Sequence, residues 1–324
     1  MPESLLEVNN LKVYYDTIQG SVKAVDDVSF KIRRGDAFGL AGESGCGKTT
    51  VALSIMKLLP KNGRIVSGEM VFEGIDLVKL NEEEMRKIRW KRISMVFQGA
   101  MNALNPVHKV GDQIAEAILT HEKVTEEDAL ERAKKLLEMV GLPSDTVNNY
   151  PHELSGGMKQ RVVIAMALAC NPDLIIADEP TTALDVIVQA QILKLLDELR
   201  KKLNLSLILI THDLSVISEL CNKIAIMYAG KLVEIGDVKD IYTNPMHPYT
   251  QGLINAFPSI EGPKKKLISI PGSPPDLLNP PSGCRFHLRC PHAMDICKRE
   301  EPHLVEIDKK GWYVACHLHG RGEK

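Results

Sequence analysis

Residues 154–161 read Leu154-Ser155-Gly156-Gly157-Met158-Lys159-Gln160-Arg161. A serine followed by two glycines and then a helix-forming run is the composition of an anion-binding helix N-terminus, which the spacing predicts to start near Met158. Upstream lies a second such device, Gly42-Glu43-Ser44-Gly45-Cys46-Gly47-Lys48-Thr49. Its glycines let backbone N–H groups converge on phosphate oxygens at the start of a helix expected from Lys48 through Leu59, stopped by Pro60 and Gly63. Lys48 supplies positive charge for β- and γ-phosphates, and Thr49 offers a hydroxyl to Mg²⁺. One γ-phosphate does not need two anion sites from one chain. Two chains arranged head to tail use both, each Ser-Gly-Gly closing over the nucleotide held by the other.

Between and beyond these loops the pattern alternates. Short β-rich runs (residues 5–15, 24–32 and 36–42) precede the phosphate loop, and more strand is expected at 69–72 and 93–97. From about Gly99 to Ala169 the period becomes helical. Leu174-Ile175-Ile176-Ala177-Asp178 then returns to strand, followed by a helix after Val186 and strands ending at Ile210 and Met227. Leu203–Ile210, the richest apolar stretch, reads as a buried strand. Alternating strands and helices predict a mostly parallel sheet with helices on its faces.

Bulk properties exclude several classes. A formal net charge of −2 gives no nucleic-acid footprint. No apolar run approaches the roughly 20 residues that span a bilayer. The opening MPESLLEVNN has no basic region followed by an apolar one, so a secretory signal is not expected and the chain is expected to stay in the cytoplasm.

Asp178 closes an apolar strand at the carboxyl edge of the sheet, where ligands of such folds sit, and is a candidate for the Mg²⁺ shell. Glu179, one residue on, is a candidate general base or water-positioning group. The ordered set, from the phosphate loop through Leu154–Arg161 to Asp178-Glu179, resembles the ATP-binding cassette (ABC) ATPases over residues 5–257. The resemblance implies a P-loop ATPase with a RecA-like core, a β-subdomain and a helical subdomain inserted at about 99–169. It also implies Gln98 as a contact to metal and attacking water, and His212 as a γ-phosphate switch. An aromatic ring on adenine is expected at Tyr15, with Tyr14 as the alternative. The whole loop (Gly42, Ser44, Gly45, Cys46, Gly47, Lys48, Thr49, Thr50) is implied on the nucleotide. Thr49, Gln98 and Asp178 would hold Mg²⁺; Ser155, Gly156, Gly157 and Gln160 would act in trans; and Asp185 would mark the D-loop. Gly99 departs from the pattern, which usually has an acidic residue there.

Three stretches resemble the peptide-importer branch: residues 101–110 (MNALNPVHKV), 244–258 (NPMHPYTQGLINAFP) and the Pro- and Cys-rich tail, residues 258–324. The resemblance implies the motor subunit of a dipeptide or oligopeptide importer on the cytoplasmic face of the membrane. Its partners would be a second, paralogous ATPase, two transmembrane permeases and an extracytoplasmic binding protein. A nickel importer and a soluble ABC ATPase are the alternatives. Half of the eighteen prolines lie in the tail, which therefore cannot form long helices and is poor in core residues. Cys284, Cys290, Cys297 and Cys316 are expected to pin it. A [4Fe–4S] cluster follows from the resemblance; Zn²⁺ (recruiting His287, His292 or His317) and free thiols remain the other readings.

Overall fold

The structure is a computed structural model that describes residues 4–99, 103–256, 270–307 and 310–319. It divides into two units, Met1–Val78 with Ile210–Lys324, and Lys79–Leu209. The expected boundary between 257 and 258 lies outside the described residues, as do the first two residues of the 101–110 stretch and the last two of 244–258.

The first unit opens with a long hairpin, β1 (Ser4–Thr17) and β2 (Gly20–Arg33). Leu6, Val8, Leu11 and Val13 of β1 are fully buried. They do not alternate strictly, because the ladder slips between Val8 and Leu11. Asn10 and Asp27 absorb the slip with positive φ (47° and 65°), and the Asn10 amide donates to the Asp27 carboxylate at 2.8 Å. Asn and Asp are the side chains that best tolerate this backbone region, so the bulge is written into both strands. The next strand, β3 (Ala37–Ala41), is buried throughout and feeds the phosphate loop.

Helix α1 runs only Lys48–Ile55, shorter than its apolar pattern suggests. Lys57 turns into the left-handed region (φ 48°) and the Leu58 N–H returns to the Leu53 carbonyl at 2.8 Å. That bond pattern closes a helix C-terminus ahead of any proline. β4 (Gly63–Phe72) then pairs antiparallel with β1, and β5 (Ile75–Asp76) completes a sheet in the order β2-β1-β4-β5.

The second unit begins with α2 (Glu82–Ile88), whose N-terminus carries a reciprocal cap between Asn81 and Glu84. β6 (Ile93–Val96) pairs parallel with a later strand, and a parallel neighbour requires a crossover. Here the crossover contains α3 (Val110–His121), α4 (Glu126–Met139) and α5 (Gly156–Leu168). Their apolar stripes meet: Ile114 and Ile118, Ala133 and Leu137, and Val162 are all fully buried. The strand that follows is β7 (Leu174–Asp178), fully buried, in register with β6 from Ile93↔Leu174 to Val96↔Ala177. Around it Arg92 pairs with Asp173 at 2.5 Å and the Trp90 indole donates to the Met166 carbonyl at 2.6 Å. α6 (Val186–Leu203) ends on Asn204 in the left-handed region, so β8 (Ser206–Thr211), beside β7, starts three residues later than the apolar run 203–210 suggests. The first residue of that run is the last turn of a helix.

The chain returns to the first unit with α7 (Leu214–Leu220), β9 (Lys223–Tyr228), β10 (Lys231–Asp237), α8 (Val238–Thr243) and α9 (Pro248–Ala256). β9 runs parallel to β3. The tail contributes two short strands, β11 (Val305–Glu306) and β12 (Tyr313–Val314), the latter antiparallel to β10.

Beside this edge sits Glu234, fully buried, whose carboxylate accepts from Met246 N (3.0 Å), His247 N (2.9 Å) and the Trp312 indole (3.0 Å). His247 Nδ1 accepts the Tyr249 N–H at 3.0 Å, which puts the neutral ring's proton on Nε2. Burial pushes this imidazole down to about 3, with His319 adding to the effect.

The folded chain therefore stays neutral at His247 while the unfolded chain takes up a proton near pH 6.5. Unfolding is favoured as pH falls from about 6.5 toward 3. In urea titrations at pH 7 and pH 5, the native chain should lose more stability than His247→Asn, which keeps an acceptor for Tyr249 but cannot titrate. Equal losses would show that His247 does not carry the acid sensitivity.

Candidate functional site

The phosphate loop belongs to the first unit and is shaped by approaches that no side chain permits. Gly42 (φ 148°) and Gly47 (φ 106°) face backbone: a Cβ would lie 2.1 Å from the Met227 carbonyl oxygen at the first and 2.2 Å from that of Ala24 at the second. Gly47 is also the N-cap of α1 and makes no side-chain cap bond, so no side chain competes for the N–H groups of the first turn. The Lys48 side chain curls into the loop, donating to the carbonyls of Gly42 (2.7 Å) and Glu43 (2.9 Å) and lying 3.5 Å from Cys46 Sγ. Ser44, Gly45 and Thr49 are exposed, whereas Cys46 and Thr50 are buried.

Tyr15 and Tyr14 diverge as their opposite strand faces require. The Tyr15 hydroxyl donates to Thr50 Oγ1 of α1 at 3.2 Å, and its ring packs against Gly63, where a Cβ would come within 2.7 Å of Cε1. Tyr14 instead reaches the Asp26 carboxylate at 3.2 Å. His212, also in this unit, is exposed just beyond the end of β8.

The second unit carries the carboxylates. Asp178 is the buried last residue of β7. Glu179 follows with φ 45°, a conformation that a non-glycine residue holds at an energetic cost and that marks sites where a side chain must be aimed. Two donors fix its carboxylate: Gln98 Nε2 at 2.8 Å and Thr182 Oγ1 at 3.1 Å, both on Oε2. Of the residues the sequence singles out, Gln98 and Glu179 are thus brought into direct contact. Thr182 was not among them; its signal was its place three residues on, where the Thr182 N–H closes a turn on the Glu179 carbonyl at 3.2 Å. Gly99, with φ 68°, occupies a backbone state that favours glycine over the acidic residue usual there.

Ser155 caps α5 by accepting the Met158 N–H at 3.3 Å, so this helix starts at Gly156, two residues before the expected position. Ser155 and Gly156 are exposed, while Gln160 is buried and is not presented at the surface. Asp185 caps α6, accepting from Ile187 N and Val188 N. The two capped helix starts touch: a Cβ at Gly157 would lie 2.7 Å from Val188 Cγ1.

The tail cysteines were expected to pin that segment, with a [4Fe–4S] cluster or zinc among the readings. Among the described residues, no group of three or more His, Cys, Asp or Glu side chains is placed to hold a metal ion. The [4Fe–4S] and zinc readings of Cys284, Cys290, Cys297 and Cys316 thus gain no support from the described residues. Burial pushes the Cys284 thiol up to about 12 and raises those of Cys290 and Cys316 as well, with the neighbouring tail thiols adding to the effect. Several contacts hold the tail against the rest of the unit. Phe286 packs against Tyr228, Tyr249 and His247, and the Cys284 N–H bonds the Cys297 carbonyl at 2.8 Å. Arg285 forms a buried ion pair with Asp26, and buried Arg289 pairs with the partly buried Glu43.

Comparison with known proteins places these features. Residues 25–182 match the family model of ABC transporters, and residues 233–297 match the oligopeptide/dipeptide transporter C-terminal region. The oligopeptide transport ATP-binding protein OppD of Bacillus subtilis is 49% identical over 319 residues, covering 97% of this chain and 89% of that protein. The dipeptide transport ATP-binding protein DppD of the same organism is 49% identical over 303 residues, covering 93% and 90%. The Escherichia coli OppD is 47% identical over 316 residues, covering 97% and 93%. Among solved structures, a dimeric ATP-binding cassette in a post-hydrolysis state, bound to ADP and Pi, superposes with a TM-score of 0.64 at 29% identity, covering 72% of this chain and 98% of that one.

Gly157→Ala should lower the thermal midpoint despite alanine's higher helix propensity, because overpacking against Val188 costs about 1–3 kcal/mol. Adding Val188→Ala should restore most of the loss; no recovery would place the strain elsewhere.

Proposed function

The chain belongs to the ABC transporter ATP-binding proteins of the oligopeptide/dipeptide transport group, and we propose that it is the motor subunit of an importer for dipeptides or oligopeptides. As an ABC ATPase it hydrolyses ATP to ADP and phosphate. The observation that carries the peptide reading is the second family match, over residues 233–297, on a chain aligned nearly end to end with peptide-transport relatives. We take residues 1–257 as the ATPase domain, with its helical subdomain at about 99–169, and residues 258–324 as the transporter-type extension.

The assigned roles follow the chemistry of each residue. Backbone N–H groups from Gly42 to Thr50, with the Lys48 ammonium, take the phosphates, and Tyr15 lies against adenine. The oxygen donors Thr49, Gln98 and Asp178 suit Mg²⁺, a hard cation that neutralises phosphate charge when bound. Gln98 gives its Nε2 to Glu179 and so keeps its amide oxygen for that cation. Glu179, aimed by Gln98 and Thr182, orients the attacking water and accepts its proton. His212 acts on the γ-phosphate, which couples nucleotide state to the residues beyond β8.

The exposed Ser155 and Gly156 close over the nucleotide of a partner cassette, with Gly157 giving close approach, Gln160 supporting from within α5 and Asp185 lining the junction. That partner is a paralogous ATPase, and the pair works on two permease subunits fed by an extracytoplasmic binding protein. No described helix is long and apolar enough to cross a membrane, so attachment to the cytoplasmic face runs through the permeases.

Glu179→Gln should cut ATP turnover by at least about a hundredfold while leaving nucleotide affinity within a few-fold. Unchanged turnover would remove Glu179 from its role. In the assembled transporter, Ser155→Ala should likewise spare nucleotide binding and slow hydrolysis. Purification from the native host should retain permease subunits, and vesicles should accumulate labelled dipeptide or oligopeptide with ATP. Accumulation of nickel without peptide would replace the substrate assigned here.

A further inference from the structure

The extension beyond α9 bears directly on the phosphate loop. Arg289, whose side chain is only 5% exposed, forks onto the Glu43 carboxylate, with Nη1 at 2.7 Å from Oε2 and Nη2 at 3.0 Å from Oε1. Glu43 is the second residue of the loop. Its backbone is held too: its N–H donates to the Tyr249 hydroxyl at 2.9 Å, and its carbonyl accepts from Lys48 Nζ at 2.9 Å. Arg289 is in turn fixed by donating to the Pro271 carbonyl at 2.8 Å and by lying over the Tyr228 ring, 5.7 Å from its centre. The Glu43 carboxylate keeps the guanidinium firmly charged. A continuous path therefore runs from the tail guanidinium through Glu43 to the lysine that meets phosphate.

Four residues earlier, Arg285 makes a parallel connection. It is buried, donates to the Ala229 carbonyl at 2.5 Å, and pairs with Asp26. Asp26 also takes the Tyr14 hydroxyl, and the neighbouring Gly230 N–H donates to the Cys46 carbonyl of the loop at 3.0 Å. The two arginines thus bracket the loop, one on its entry and one on the β1–β2 hairpin and the β9–β10 turn that line it. Both arginines lie in the extension, so the brace is a property of that segment of this chain.

We infer that Arg289, seconded by Arg285, is a positioning residue for ATP binding: the C-terminal extension holds the phosphate loop in its nucleotide-accepting shape through the Arg289–Glu43 ion pair. This rests on the assignment of residues 42–49 as the phosphate loop. Arginine is required because a lysine ammonium cannot make two parallel bonds to one carboxylate. Truncation of one partner is worse than loss of both, because it leaves a partly buried charge unpaired.

The test uses the full-length chain in its assembled transporter. Arg289→Met should raise KM for ATP by about tenfold or more, with kcat at saturating ATP within about threefold of the native value. Arg289→Lys should fall between. Glu43→Gln should show the same split. The double variant Arg289→Met/Glu43→Gln should bind ATP better than Arg289→Met alone. A brace that merely stabilised the fold would lower active fraction and kcat without moving KM. That result, or native KM in both single variants, overturns the inference. Lys48→Ala serves as the control: native ATP affinity in it would overturn the loop assignment itself, whatever Arg289 does.

Discussion

Everything in the nucleotide-facing half of the first unit depends on backbone approaching backbone more closely than a Cβ allows. Gly42 against Met227 and Gly47 against Ala24 set the loop on β9 and β2, and only then can α1 begin at Lys48 with its first N–H groups uncapped. The same contacts make the loop a strained, polar element with little apolar surface of its own. Its shape must be maintained from outside, by the Tyr249 hydroxyl, the Gly230 N–H and the Arg289 fork.

The extension solves its own problem in the same exchange. A segment this rich in proline has few apolar residues to bury, and Phe286 and Trp312 make a small core at best. Buried arginines would be costly there alone, but Asp26 and Glu43 compensate them, and Glu234 takes three N–H donors at once. What the tail lacks in hydrophobic burial is thus made up by charge-assisted hydrogen bonds to the ATPase body.

Much of the fold was legible because each element had its own signal. The buried run before Asp178, the helical periods between 110 and 168, and the glycine spacing of the phosphate loop all act over a few residues. The misreadings have local causes as well. Leu203 looked like strand because apolar residues of a helix end and of a following strand are contiguous, and only Asn204 in the left-handed region separates them. The α5 start was set two residues late because glycine, a poor helix former, is acceptable in a first turn capped by Ser155. Tyr15 and Tyr14 were separable by strand alternation, yet their partners, Thr50 and Asp26, were not.

By itself the sequence determined the type of chemistry: a phosphate loop, a carboxylate pair at a strand end and a second anion-binding helix start. Each is a short contiguous string whose residue types dictate backbone geometry. Tertiary structure alone decided what holds those strings in place. That Gln98 and Thr182 aim Glu179, that Val188 crowds Gly157, and that Arg289 reaches Glu43 from 246 positions away depend on contacts between distant segments. The metal reading of the tail cysteines came from the resemblance and not from their spacing, which records only order along the chain. Only the fold shows that arginines paired with Asp26 and Glu43 tie the tail to the ATPase body, through electrostatics in a largely desolvated interface.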